Sequence, residues 1–147
     1  MGKIQGIGVD VVDVQRMKAS LEEQGEALTS KVFTNKEIEY CRSKKNPHEH
    51  FAARFAAKEA VSKAMQTGWS GTFRWKDVEV VNEPSGAPRI VLYKEVAESL
   101  KRSKVHLSLS HTENTVVAFA VIEEADRTKA KKRDTRSPKK RRKERKR

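Results

Sequence analysis

The chain is short of several things, and each shortage excludes a class of protein. Cys41 stands alone in 147 residues. A single cysteine permits no intrachain disulfide and no thiolate cluster for zinc, so Cys41 reads as a small helix residue. No apolar run approaches the roughly 18 residues that a membrane-spanning helix needs. The opening MGKIQGIGVD lacks the apolar core of a secretory leader, and a cytoplasmic protein is the expectation. Gly6-Ile-Gly8 is followed by no third glycine, so it is no dinucleotide fingerprint, and no Walker sequence occurs. Ser110 has no nucleophile elbow around it. Aromatic residues make up 6% of the chain and apolar residues 36%, which suits one modest core in one domain.

Charge is abundant, at 35% of residues with a formal net of +12. Residues 127–147 hold 14 Lys/Arg against 2 Asp/Glu, whereas residues 1–126 hold 18 of each. The body is therefore neutral, and the tail carries the whole imbalance. The expected division is a domain over residues 1–125 and a basic tail over 126–147. KAKKRDTRSPKKRRKERKR offers almost nothing to bury against the entropy of ordering, so disorder is expected there. Such a tail can bind RNA, anionic lipid or an acidic protein by counterion release and steering. A nucleic-acid-binding protein acting through this tail is the alternative function. The neutral body and the lack of an RNA-binding motif or exposed aromatic platform argue against it.

The patterning is α+β, with a mainly antiparallel sheet packed on one long central helix. Residues 3–9 read as a strand and residues 12–23 as a helix, with Asp10 or Asp13 near its positive end and Gly25 past its exit. Thr34 and Glu37 have the spacing of a capping box and open a helix to about Ser43. Asn46-Pro47 opens a longer helix to about Gln66, for which Gly68 is a suitable exit. Residues 78–81 and 89–93 flank a turn-rich loop and read as a hairpin. Residues 94–103 read as a helix. Val105, Leu107 and Leu109 alternate with polar residues as in a half-buried strand. Residues 116–122 are a continuous apolar run, the pattern of a strand covered on both faces. Thr112–Thr115 joins these last two strands as a tight turn.

Four charged side chains break the long helix ARFAAKEAVSKAM. At about 100° per residue, Arg54 and Lys58 form one stripe and Glu59 and Lys63 a second beside it. Two readings stay open on this spacing. One is a surface face with Glu59 paired to Lys63, at about 0.3–0.5 kcal/mol. The other is an anion site beside a metal-binding acid, where Mg²⁺ would take one or two protein carboxylates and leave room for phosphate oxygens. Asp10, directly after the first strand at a strand-to-helix junction, is a second carboxylate, equally suited to capping a helix. His111 in Ser108-Leu-Ser-His-Thr112 ends a strand, on the Val105/Leu107/Leu109 side if the alternation persists.

Gly6-Ile-Gly-Val-Asp10, Arg54-Phe-Ala-Ala-Lys-Glu-Ala-Val-Ser-Lys63-Ala and Leu109-Ser-His-Thr112 together resemble, in order and spacing, the holo-acyl-carrier-protein synthases. These are the short, trimeric class of 4′-phosphopantetheinyl transferases, and the resemblance spans residues 3–123. It implies an enzyme of fatty acid biosynthesis and lipid metabolism. Such an enzyme moves the 4′-phosphopantetheine arm of coenzyme A to a serine of apo-acyl carrier protein and releases adenosine 3′,5′-bisphosphate. By the same resemblance, Asp10 and Glu59 would hold Mg²⁺ against the coenzyme pyrophosphate. Glu59 would accept the serine proton, directly or through a water, and Lys63 would neutralise pyrophosphate charge. Arg54, Lys58 and His111 would bind the coenzyme's phosphates and nucleotide end. Arg16, with Lys18, Met17 and Leu21 near it, would meet the acidic carrier. A homotrimer is implied, with Asp10 and Glu59 from one chain and His111 from its neighbour.

Overall fold

The computed structural model describes residues 2–66 and 73–126. Strand β1 (Lys3–Asp13) pairs antiparallel with β5 (Thr115–Glu124), which pairs antiparallel with β4 (Ser103–His111). The sheet order is β1-β5-β4. Helix α4 (Pro47–Ala64) crosses the inner face of this sheet. A separate hairpin of β2 (Val78–Asn82) and β3 (Pro88–Leu92) stands beside it. Four shorter helices complete the fold: α1 (Val14–Gln24), α2 (Glu26–Val32), α3 (Asn35–Arg42) and α5 (Lys94–Ser99). The α+β reading from patterning holds.

The central contact is made of small residues. Ala56, Ala57, Ala60 and Ala64 of α4 are buried, as are Ala118 and Ala120 of β5. Gly6 and Gly8 of β1 face the same way, between outward-facing neighbours. A methyl group built on Gly6 would overlap the Ala64 carbonyl oxygen, and one on Gly8 the Ala60 carbonyl oxygen. The glycines let the strand backbone lie directly on the helix backbone.

The local signals at helix ends work as expected in two places. Thr34 N donates to Glu37 Oε1 at 3.0 Å and Glu37 N to Thr34 Oγ1 at 3.3 Å, which completes the capping box. Gly25 closes α1 with φ +53°. In the tight turn, Thr112 N donates to Thr115 O at 2.8 Å.

Five expectations are corrected. The first strand runs on to Asp13, so Asp10 lies within β1 and not at a strand-to-helix junction. Asp13 is the cap instead, its Oδ1 accepting from Arg16 N at 2.8 Å. Helix α2 was not expected, because EALTSKV follows the helix-ending Gly25 with no apolar period of its own. The helix expected over residues 94–103 ends at Ser99, and Ser103 already belongs to β4. The long helix ends at Ala64; Gly68 lies outside the described residues, as do residues 127–147 of the expected tail. Finally, β5 is covered on one face only. Val116, Ala118, Ala120 and Ile122 are buried, while Phe119 is 43% exposed. Register places Phe119 beside Val9, Val121 beside Ile7 and Val117 beside Val11. Ile7, Val9 and Val11 are each at least half exposed, so the outer face of the sheet is open and apolar. No helix among the described residues is long and apolar enough to cross a membrane.

Gly8→Ala should cost about 1–3 kcal/mol through overpacking, or more, because the obstructing atom is backbone and cannot rotate aside. Urea unfolding monitored by circular dichroism checks this, and Ile7→Ala on the open face of the same strand should cost clearly less.

Candidate active site

Asp10 and Lys63 meet where β1 crosses α4. Lys63 Nζ donates to Asp10 Oδ1 at 3.0 Å and to Val9 O at 3.0 Å. Asp10 is largely shielded and Lys63 is half exposed. Glu59, one turn earlier on α4, is partly buried. Burial first, then the Asp10 carboxylate, raise its proton affinity from the ordinary value, with Lys63 opposing. The structure thus brings Asp10, Glu59 and Lys63 together. Lys63 is ion-paired with Asp10 and not with Glu59, so the simple helix-surface pair is not what forms.

Two neighbouring carboxylates, one of which raises the proton affinity of the other, form a natural seat for a divalent cation. Among the described residues no group of three His, Cys, Asp or Glu side chains could hold a metal. An ion here would therefore draw on two protein carboxylates and fill its remaining positions from water and phosphate. That is the habit of Mg²⁺, and these residues fit it.

The other stripe of α4 does different work. Lys58 was expected to bind a coenzyme phosphate, and the structure gives its ammonium three protein acceptors instead. The side chain is fully buried, and its three donors go to Glu37 Oε1 at 2.7 Å, Trp75 O at 2.9 Å and Val78 O at 2.7 Å. A lysine ammonium has three donors, so none remains for a ligand. Glu37 is equally buried and also accepts from Val80 N at 3.0 Å. The pair cross-links α3, α4 and β2. Its sequence signal was visible only in part, since the capping box accounts for Glu37 without calling for a second partner.

Arg54 is buried beneath the Tyr40 ring, its guanidinium carbon 4.0 Å from the centroid. Arg54 Nη2 donates to Asn82 Oδ1 at 2.8 Å, while its Nε is buried without an acceptor among the described residues. Lys44 covers the same ring at 4.6 Å. His50 packs edge-on to Tyr40, and burial, then Arg54, lower its proton affinity. His111 lies on the α4 side of β4, as the alternation predicts, with Nδ1 3.0 Å from Glu49 Oε1. Glu49 and Glu59 are ten residues apart on one helix, about 15 Å along its axis. Within one chain, His111 therefore does not join the two acids.

Tyr40, Glu49 and Asn82 were missed by sequence reasoning, because each acts through a partner remote in sequence. Arg16 is exposed on α1 between buried Met17 and Asp13. Cys41 is buried, which pushes its thiol up to about 12, so it is inert at neutral pH.

Residues 6–120 match the family model of the 4′-phosphopantetheinyl transferase superfamily. A holo-[acyl-carrier-protein] synthase of Koribacter versatilis is 44% identical over 124 residues, covering 82% of this chain and 99% of the relative. The corresponding protein of Desulforudis audaxviator is 46% identical over 121 residues, covering 80% of this chain and 92% of the relative. Among solved structures, the holo-[acyl-carrier-protein] synthase of Neisseria meningitidis superposes with a TM-score of 0.76 at 32% identity, covering 83% of this chain and all of that one. The one from Bacillus anthracis, in complex with CoA (3′,5′-ADP), gives 0.71 at 32% identity, covering 83% of this chain and 98% of that one.

Lys58→Met should lose about 3–5 kcal/mol of stability, the cost of leaving one member of a buried pair without its counter-charge. Lys63→Met, half exposed, should lose less than about 1 kcal/mol. Chemical unfolding of the two variants side by side separates a structural lysine from a site lysine.

Proposed function

The chain belongs to the 4′-phosphopantetheinyl transferase superfamily, as a holo-[acyl-carrier-protein] synthase, and we propose that it transfers the 4′-phosphopantetheine arm of coenzyme A to a serine of apo-acyl carrier protein in the cytoplasm. The observation that carries the proposal is the convergence of Asp10, Glu59 and Lys63 at the crossing of β1 and α4.

Asp10 and Glu59 would hold Mg²⁺, which when bound supplies charge neutralisation and polarisation at a pyrophosphate. Glu59, directly or through a water, takes the proton of the carrier serine. The serine oxygen forms a bond to the phosphorus of the arm, and the pyrophosphate P–O bond breaks. Adenosine 3′,5′-bisphosphate leaves. Lys63 sits where negative charge grows on that leaving phosphate. Its ammonium already rests against Asp10 Oδ1 and needs little movement to reach an incoming anion. Arg54, whose Nε has no acceptor among the described residues, and His111 bind the nucleotide end. Arg16 on α1 meets the acidic carrier, chiefly by raising the rate of encounter.

A homotrimer completes this reading. The open apolar face of β1 and β5 gives copies of the chain a surface to bury, and a neighbour supplies the His111 that one chain holds too far from its own acids. Light scattering should return three times the chain mass. Phe119→Lys should give a smaller species with little transfer, and an active monomer would refute the shared site.

Asp10→Ala and Glu59→Ala should each reduce arm transfer, followed by mass spectrometry of the carrier, by at least about 10²-fold. A second readout needs no substrate. Because the folded pKa of Glu59 is raised, its contribution favours folding at low pH and is lost as pH rises through that raised value. Mg²⁺ relieves the charged form, so it should raise Tm more at pH 8 than at pH 4.5. Glu59→Ala should abolish that difference, and an unchanged Mg²⁺ response would sink the metal assignment.

A further inference from the structure

A depression of about 450 Å³, lined by the turn that accepts from Lys58, is not used by the proposed reaction. Three separate segments furnish its rim: Lys31 from the last turn of α2, Arg74 and Lys76 around the 3-10 turn Trp75–Asp77, and Lys94 at the start of α5. Among the described residues none of these four cations is in an ion pair. Asp77 also lines the depression. It is 4% exposed, and its Oδ2 is buried without a hydrogen-bond donor among the described residues. An orphaned buried carboxylate oxygen is costly and calls for a partner.

The two features together restrict what can bind. Four unpaired cations converging on one concavity attract an anion. A bare polyanion would leave Asp77 unsatisfied and would be repelled by it. The ligand must present negative charge to the lysines and an N–H or O–H to Asp77. We propose that this depression is a second ligand site, distinct from the transfer site, for a phosphate ester that carries a hydrogen-bond donor, the class to which nucleotides belong. Its volume lies within the range of small-molecule sites. Its floor is the turn whose flanking carbonyls, Trp75 O and Val78 O, accept from Lys58, so a ligand here bears on an element bonded to the residue before Glu59. None of the residues lining it belongs to the set around Asp10, Glu59 and Lys63, nor to the set around His111 and Arg54.

Equilibrium dialysis with adenosine 5′-diphosphate tests this on the full chain. Two molecules per chain are expected in the wild type. One is expected in Lys76→Gln/Lys94→Gln, both exposed positions, with the KM for coenzyme A unchanged within twofold. The same number of molecules per chain in both proteins, whether one or two, overturns the proposal, whereas one in the wild type and none in the variant upholds this site and counts against nucleotide binding at the transfer site. A KM raised along with the loss would make the depression part of the transfer site and overturns its separateness. Asp77→Asn supplies an independent check on the chemistry. It should strengthen binding of inorganic tripolyphosphate to this site at least threefold, by removing a negative charge, and weaken the diphosphate at least threefold. The same direction of change for both probes would refute the role of Asp77. Failure of arm transfer in the wild type would bear on the proposed function and leave the dialysis result standing.

Discussion

The contact between two backbones, β1 lying directly on α4, sets the geometry of everything near the site. It exists because Gly6 and Gly8 have no side chain to hold the strand away from Ala64 and Ala60. Strand periodicity then does the rest. With Gly6 and Gly8 turned inward, Asp10 is the next inward position, and it arrives beside Lys63 and within electrostatic reach of Glu59. The same alternation turns Ile7, Val9 and Val11 outward. One constraint therefore fixes both the acid at the site and the apolar face on the opposite side of the sheet.

Helix α4 divides its charged residues between two tasks that sequence spacing alone could not separate. Glu59 and Lys63 lie towards β1 and remain partly accessible. Arg54 and Lys58 lie towards α3 and β2 and are buried. Burying an ammonium is tolerable only where a counter-charge and full hydrogen bonding compensate its desolvation, and Glu37, Trp75 O and Val78 O provide both. Burial lowers the proton affinity of Lys58 while Glu37 opposes that change. Such a pair adds more to the orientation of α4 than to net stability, since both partners were well solvated before folding. Orientation is what the site needs, because rotating α4 by one residue would carry Glu59 some 100° away from Asp10.

Legibility in the sequence followed the range of the interaction. The capping box at Thr34 and Glu37, the β2–β3 hairpin and the inward side of His111 are local or periodic, and each could be read directly. Asp10 and Glu59 were singled out through the order of three motifs, whereas spacing alone left each open to a bland alternative. What escaped depends on partners far along the chain. Lys58 looks like any helix cation until Glu37 is brought to it from 21 residues away. Arg54 looks like a surface base until Tyr40 covers it. The apolar run of β5 was read as doubly covered because periodicity reports that both faces avoid water and says nothing of which molecule provides the cover.

That last point bears on the assembly. Under the proposed shared site, an apolar face left open by one chain and a histidine held about 15 Å along the helix from the acids are two separate deficits of the same polypeptide. A second copy packed on the sheet could remove the first by burial. It could remove the second only if the packing brings its α4 N-terminus towards the first copy's Asp10. A closed ring can meet both conditions at once, because each copy then gives and receives through two different patches. A two-fold dimer that buried this face against itself would cover the apolar residues, but it would use one patch for both purposes. The sheet face and the Glu49–His111 corner lie on different sides of the chain, so a heterologous, ring-closing contact accounts for both deficits more simply than an isologous one.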